Sequence, residues 1–586
     1  MLNNLERIYI MKKLLLGNES VARGIYEAGV KFVSSYPGTP STEITENTAT
    51  YKEIYSEWAP NEKVAFEAAL GASIGGGRAF CGMKHVGLNV AADPMFVTAY
   101  TGVGGGFVIG VADDPGMHSS QNEQDSRHYA ISAKLPMVEP ANSAECKDYT
   151  ILAYELSEKF DTPVILRLTT RVSHSRSPVE LGERVEYDIK PYEKDAAKHV
   201  MMPANAKKRH YVVEEHLAAL TEYAENCPLN TVEENGTTVG IITAGNCWNY
   251  AKEAYGKNAS YLKLGLINPL PKKLILDFAA KHETVIVVEE LDPVIENHCR
   301  ALGINVIGKA DGVLPLCDEY SEELLRTRLL GIEPDYCEIG SPIPPRPPVL
   351  CPGCPHRGVF YTLSKLKLRV SGDIGCYTLG AVAPLSAIDS VYCMGASISS
   401  LHGTAIVRGE ADKYVSVIGD STFMHSGLTG LVNVVYNGGN TTNIILDNSI
   451  TGMTGHQENP LTGKTLMGTP APNLCLEDIC ASLGVSRDHI RTVDPADLKA
   501  LETVIKEEVN APCPSVIICR RPCALLKTAK RGPAVKVNAD KCVGCKMCMK
   551  IGCPCISMVD GKAVIDQSMC VGCGLCAQMC KLGCIE

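Results

Sequence analysis

Ten of the chain's 26 cysteines fall between Cys542 and Cys584. They run as Cys542-x2-Cys545-x2-Cys548-x4-Cys553-Pro554 and then Cys570-x2-Cys573-x2-Cys576-x3-Cys580. Three thiolates at this spacing wrap one cubane of iron and sulfide from a single loop, and a fourth further on completes the set. A zinc ribbon uses four ligands in two separated pairs, which two runs of three plus one do not match. Upstream stand Gly419-Asp420-Ser421 and, further on, Asp447-Asn448-Ser449-Ile450. One carboxylate, one amide oxygen and one backbone carbonyl are the hard donors Mg²⁺ takes when it also holds a diphosphate. Gly-Asp-Ser alone is common, and a plain strand–turn–helix is the alternative. A third group is scattered: Cys351-x2-Cys354, Cys376 and Cys523.

These residues need elements to hold them. Tyr414–Gly419 is a short apolar run suited to a buried strand, followed by a helical stretch over His425–Tyr436 and a second strand over Asn443–Leu446. Such a βαβ unit presents Asp420 and Asn448 at one strand edge, where α/β sheets bind ligands. Gly419 lets backbone and phosphate approach closely. Nearer the start, Val33–Ser41 is a strand running into a Pro/Gly turn. Phe66–Ala72 opens a helix of small residues. Gly110–Arg127 is a long polar loop after an apolar strand, the kind of strand-end loop that carries function. Gly102-Val-Gly-Gly-Gly106 is too weak a pattern for a dinucleotide site. Thr238–Thr243 and Glu283–Val288 read as buried strands without chemistry. The proline-rich Ser341–Pro348 reads as a stiff boundary. The cysteine-rich tail, about fifty residues, buries too little to fold without cofactor staples.

The 586 residues suit about three or four domains. A net charge of −10 argues against a nucleic-acid-binding surface, and no apolar run reaches the roughly 18–20 residues of a bilayer span. Met1–Leu16 lacks the features of a signal peptide. Clustered thiols without export signals indicate metal ligation, a cytoplasmic setting and scarce oxygen. Met11-Lys-Lys reads as a second start, leaving residues 1–10 as a disordered extension or a gene-calling artefact.

The tail resembles two-cluster bacterial ferredoxins, in which the fourth cysteine of each run ligates the other cluster. On that resemblance cluster one takes Cys542, Cys545, Cys548 and Cys580, and cluster two takes Cys570, Cys573, Cys576 and Cys553. The first run has one residue more than usual before Cys553, and Cys580 is followed by Lys581 instead of Pro. Cys555 and Cys584 fall outside the pattern and are expected to be spare thiols.

Gly419-Asp420-Ser421 with Asn448 resembles the thiamine diphosphate motif of transketolase-like enzymes, which implies Asp420, Asn448 and the Ile450 carbonyl as Mg²⁺ ligands. Thr451–Gln457 looks like the loop that follows this motif in 2-oxoacid:ferredoxin oxidoreductases. Tyr36-Pro37-Gly38-Thr39-Pro40 resembles their Tyr-Pro-x-Thr-Pro motif, which places Thr39 beside the reacting carbons. The helix at Phe66–Ala72 is similar to the one carrying the carboxylate that serves the aminopyrimidine ring. Glu67 is the expected residue for that role, with Glu62 and Glu43 as local rivals.

The 110–127 segment resembles the large (alpha) subunits of indolepyruvate:ferredoxin oxidoreductases. The likeness runs along nearly the whole chain, from Leu15–Glu19 through Leu350–Arg357 to the tail. It implies an α/β fold with a pyrimidine-binding domain over 12–204, a transketolase C-terminal-like domain over 205–340 and a diphosphate-binding domain over 349–530. A small α+β ferredoxin-like domain with two [4Fe–4S] clusters would cover 535–586. It implies oxidative decarboxylation of an aryl pyruvate, with coenzyme A accepting the acyl group and ferredoxin the electrons. A smaller beta subunit would complete an α2β2 assembly. His85 and His118 are candidates for holding the 2-oxo acid, each set against a structural role. Cys351, Cys354, Cys376 and Cys523 sit where pyruvate-type enzymes ligate a cluster near thiamine, and so offer a third [4Fe–4S] site. The alternatives are a pyruvate or branched-chain substrate, a non-oxidative thiamine decarboxylase or carboligase, and a bare electron carrier whose thiamine site has decayed.

Overall fold

The structure, a computed structural model, describes residues 11–337 and 339–586, so the reading of residues 1–10 lies outside it. It divides into two units, one up to Ile339 and one from Gly340. Among the described residues no helix is long and apolar enough to cross a membrane.

Strands of a parallel sheet covered on both faces must be apolar almost throughout. In the first unit Ala79–Lys84, Phe107–Asp113 and Val164–Thr169 are buried at every position. They form the centre of a seven-stranded sheet with the order Leu266–Asn268, Met137–Val138, Val164–Thr169, Phe107–Asp113, Ala79–Lys84, Phe32–Ser35, Tyr55–Trp58. All neighbours run parallel except Leu266–Asn268, which pairs antiparallel with Met137–Val138. One face packs on Gly17–Glu27 and Ser143–Phe160, the other on Glu62–Ile74 and His85–Thr101. A second sheet of five strands has Val239–Ala244 at its centre. Leu266–Asn268 joins the first sheet, and Ile242 and Phe278 share a core with Phe66 and Ile109. The chain on either side of residue 205 therefore shares a sheet and a core.

Because its long strands run one way, the first sheet delivers Tyr36–Pro40, Glu62, His85 and the loop 114–126 to one carboxyl edge. A buried ion network ties that loop down. Asp113 accepts from Ser126 N at 3.1 Å and from Arg167 Nε at 2.8 Å, while Arg167 Nη1 reaches Glu139 at 2.7 Å. Arg127 donates to Asp125 at 2.6 Å, to Glu289, and to the Glu290 and Asp292 carbonyls at 2.9 and 2.7 Å. Burial alone would raise Asp125, but the Arg127 and Arg167 guanidiniums hold its carboxyl well below the usual carboxylate range. Breaking a buried network by removing one partner costs about 3–5 kcal/mol. Arg127→Met is therefore expected to lower the unfolding free energy of the first unit by that order, read as a fall in its urea midpoint. Tryptophan fluorescence reads it, since both tryptophans, Trp58 and Trp248, lie in this unit.

The second unit holds five parallel strands in the order Arg369–Ser371, Tyr414–Gly419, Thr442–Asp447, Ser515–Arg520, Ile490–Val493. The helical stretch expected after Gly419 begins as irregular turns over Asp420–Gly427 and becomes an α-helix at Leu428–Tyr436. The tail contributes an antiparallel hairpin, Ile556–Val559 with Lys562–Ile565, and a short helix, Leu575–Met579. Its core mixes Ile551, Ile556, Ile565 and Ile585 with Cys542, Cys548, Cys555, Cys576 and Cys584. A core so small and so rich in thiols suits stapling by metal.

Candidate active site

In the second unit the strand ends converge as the βαβ reading requires. Asp420 follows Tyr414–Gly419 and Asn448 follows Thr442–Asp447, which are adjacent parallel strands. The Asp420 carboxylate, 2% exposed, accepts from Ser421 N at 2.7 Å and Ser449 N at 3.0 Å. Burial and then the Asp447 charge push it up to about 7, so a cation beside it would keep it ionised. Asn448 Oδ1 accepts from Ile450 N at 3.2 Å, and the Asn448 carbonyl accepts from Cys523 N at 2.9 Å. Ser421 and Thr451 join hydroxyls at 3.0 Å. Gly419 is required for a closer neighbour than a phosphate: a Cβ there would lie 2.7 Å from the Tyr377 ring.

The other strand ends of the same sheet bring in sulfur. Cys376 follows Arg369–Ser371, Cys523 follows Ser515–Arg520, and Cys351 and Cys354 precede the helix His356–Leu366. All four line one cavity of about 270 Å³ together with Asn448, Gly452, Met453 and His456. A Cβ on Gly452 would sit 3.7 Å from both Asn448 Nδ2 and Cys376 Sγ, so the amide and the thiol flank one point. His456 Nε2 is 3.7 Å from Cys523 Sγ. Burial lowers His356 to about 4, leaving a neutral ring on the cavity wall.

The sequence reading missed Asp373. Fully buried, it accepts from the backbone N–H groups of Ile374, Gly395 and Ser397 at 2.8, 2.9 and 3.0 Å and so fixes the turn that carries Cys376. An Asp two residues beyond a strand end, beside Gly375, was the available signal. Arg357 was quoted without a role. Its guanidinium holds the Cys351 carbonyl at 3.3 Å and the Ile551 carbonyl at 3.2 Å, joining the Cys351 loop to the turn before Cys553.

In the tail, Cys542, Cys545, Cys548 and Cys580 line one pocket, together with Cys584. Cys553, Cys570, Cys573 and Cys576 lie close enough to influence one another. Backbone N–H groups point at ligand sulfurs: Ala563 N at Cys542 Sγ (3.5 Å) and Cys584 N at Cys580 Sγ (3.4 Å). Among the described residues no three cysteine sulfurs all lie within 4.8 Å of one another. A tetrahedral zinc site, with Zn–S of about 2.3 Å, would bring its sulfurs to roughly 3.8 Å. The two runs of three plus one and the N–H···S contacts suit cubane ligation.

In the first unit Thr39 is half-buried, and its carbonyl accepts from Ser119 Oγ at 3.3 Å. The three carboxylates part company here. On the helix Glu62–Ile74 the buried face is Glu62, Ala65, Phe66, Ala69 and Ser73. Glu67 lies off that face, 45% exposed and ion-paired with Lys63 four residues back. That is the position of a surface helix pair, against the expectation for Glu67. Glu62 is 5% exposed in the first turn, behind the Asn61 cap. A Cβ on residue 87 would lie 2.5 Å from Glu62 Oε1, so Gly87 is what lets the carboxylate settle there. Glu43 accepts from Asn18 at 2.8 Å and lies 3.6 Å from His174. His85 is buried, with Nε2 3.3 Å from the Asn122 carbonyl and Nδ1 unpartnered. His118 is exposed and pairs with Glu319 at 3.1 Å.

Three family descriptions match the chain: "Pyruvate flavodoxin/ferredoxin oxidoreductase, thiamine diP-bdg" over residues 23–235, "Thiamine pyrophosphate enzyme, C-terminal TPP binding domain" over 373–519, and "4Fe-4S binding domain" over 563–586. The indolepyruvate oxidoreductase subunit IorA of Archaeoglobus fulgidus is 43% identical over 97% of this chain and 96% of its own length. The subunit of the same name from Thermococcus kodakarensis is 42% identical over 98% and 96%. That of Methanothermobacter marburgensis is 41% identical over 98% and 97%. The strand-end Asp420 and Asn448, the cysteine-lined cavity and the cysteine tail thus occur in a chain that belongs to the IorA family of indolepyruvate oxidoreductase subunits, within the thiamine-dependent 2-oxoacid:ferredoxin oxidoreductases.

Proposed function

We propose that this chain is the large subunit of an enzyme that converts indole-3-pyruvate, coenzyme A and oxidised ferredoxin to indoleacetyl-CoA, CO₂ and reduced ferredoxin. A smaller beta subunit completes it, in an α2β2 assembly in the cytoplasm. One observation carries the oxidative reading: the cysteine cavity opens onto Asn448, where Gly452 stands between the amide and the Cys376 thiol. A carboligase or simple decarboxylase has no use for metal-binding thiols at that place. Thiamine diphosphate, when bound, supplies the electron sink for decarboxylation, and [4Fe–4S] clusters accept the electrons singly.

The residues have distinct tasks. Asp420, Asn448 and the Ile450 carbonyl would hold Mg²⁺, and Gly419 and Ser421 would help bind the diphosphate. Glu62, in place of Glu67, holds and moves a proton at N1′ of the aminopyrimidine. Thr39 lies on the same sheet edge, and His85 is the better placed of the two histidines to meet the 2-oxo acid. Cys351, Cys354, Cys376 and Cys523 hold a third cluster. The Cys351 loop packs on the tail: a Cβ on Gly353 would lie 2.2 Å from Val571, between Cys570 and Cys573. That contact and the Arg357 bridge would hold a cluster at these four cysteines against the tail half that carries Cys570 and Cys573.

The test is anaerobic viologen reduction by the chain co-expressed with its small partner, comparing indole-3-pyruvate with pyruvate and branched-chain 2-oxo acids. Reduction that needs both indole-3-pyruvate and coenzyme A is expected, and CO₂ release without reduction would sink the oxidative reading. Asp420→Asn is expected to lose retention of thiamine diphosphate. Desalted protein would carry none, and added thiamine diphosphate with Mg²⁺ would no longer raise the unfolding temperature.

A further inference from the structure

Cys555 and Cys584, expected to be spare, occupy matching places in the two halves of the tail. Each is 4% exposed. Each stands directly before an isoleucine that pairs across the tail, Ile556 with Ile565 and Ile585 with Val537. Each has its carbonyl pinned by a backbone N–H, Cys555 by Asp566 at 2.9 Å and Cys584 by Asn538 at 2.7 Å. The Cys584 thiol points at a ligand sulfur, with its Sγ 3.1 Å from Cys580 Sγ, and it lies near enough to Cys542 to interact with it. Cys555 stands two residues past Cys553, a ligand of cluster two, near enough to interact with Cys553 and Cys570.

We propose that Cys555 and Cys584 are a matched pair of positioning residues, one per tail cluster, that donate S–H hydrogen bonds to the ligating thiolates and raise the reduction potentials of both clusters together. This rests on the two-cluster assignment of the tail. One observation separates Cys584 from a ligand: its own backbone N–H donates to Cys580 Sγ at 3.4 Å, which makes Cys580 the accepting sulfur of the two. Donation to a ligand sulfur draws charge off the cluster and favours the reduced form, which is a recognised determinant of potential. Similar donors at both clusters move both potentials in one direction, so the step between them stays small.

The experiment uses the anaerobically purified complex with Cys584→Ala, Cys555→Ala and Cys584→Ser. Iron and sulfide are counted, the clusters are titrated by EPR, and exchangeable protons are read by pulsed EPR in H₂O and D₂O. The expected result is unchanged iron and sulfide and a lower potential for the affected cluster in each alanine variant. The reduced-to-oxidised ratio at fixed poise should fall about tenfold, equivalent to about 59 mV for one electron. One exchangeable proton coupling should vanish, and Cys584→Ser should keep the parental potential. Loss of four irons in Cys584→Ala would make it a ligand and overturn the proposal. Unchanged potentials and couplings in both alanine variants would overturn it equally, leaving the cluster assignment intact. A parent whose tail loads no iron would overturn that assignment and the inference with it.

Discussion

Glu62→Gln is expected to lower indolepyruvate-dependent viologen reduction by about 10²–10⁴-fold, the usual contribution of a positioned proton-transfer group. Glu67→Gln is expected to leave the rate within about twofold, because an exposed ion pair contributes little. The two carboxylates sit on one helix and differ by their angle about its axis. Glu62 shares the buried stripe with Ala65, Phe66, Ala69 and Ser73, at the strand-end side where Thr39 also lies. Glu67 is turned away and held by Lys63. Glutamine preserves shape and hydrogen bonding at position 62, so folding and cofactor retention should survive. The discriminating readout is hydrogen–deuterium exchange at the thiazolium carbon of bound cofactor. It should slow in Glu62→Gln and keep its parental rate in Glu67→Gln; the reverse pattern would return the role to Glu67.

Removing Cys351 and Cys354 together, as C351A/C354A, is expected to drop iron from about twelve to about eight per chain, the loss of one cubane out of three. Acceptor reduction should fall to background. Slow CO₂ release from indole-3-pyruvate should persist, because Asp420, Asn448 and Glu62 are untouched. The divergence between CO₂ and electrons is the informative result, since it separates the thiamine chemistry from the path that drains it. Eight irons in the parent and parental reduction in the variant would remove the third cluster and leave the cavity a structural thiol site.

Short apolar runs bounded by glycine made the strands at Tyr414–Gly419 and Thr442–Asp447 legible, and with them the convergence of Asp420 and Asn448. Local spacing made the tail ligand runs legible for the same reason: one loop carries three of the thiols. Glu62 and Glu67 were a harder case. Both precede the same small-residue run, and only the orientation of the helix on the sheet decides which of them is buried. Asp373 had only its place after a strand end to mark it, because two of its partners, the N–H groups of Gly395 and Ser397, come from a distant turn. Cys555 and Cys584 were set aside because they fall outside the ligand pattern, and the unequal spacings Cys-Pro-Cys and Cys-x3-Cys hide their likeness. Their equivalence appears only when Ile556 and Ile585 are seen pairing across the tail.

The hydrogen bond from Cys523 N to the Asn448 carbonyl has a further consequence. It makes the turn bearing Cys523 and the turn proposed to hold Mg²⁺ one mechanical piece, hung from neighbouring strands. Oxygen attacking a cluster at Cys523 would slacken Asn448 as the thiolate let go. Air damage to such an enzyme would then register first as vitamin leakage, with the sheet beneath still intact. Its shelf life would be set by how firmly that one turn is clamped.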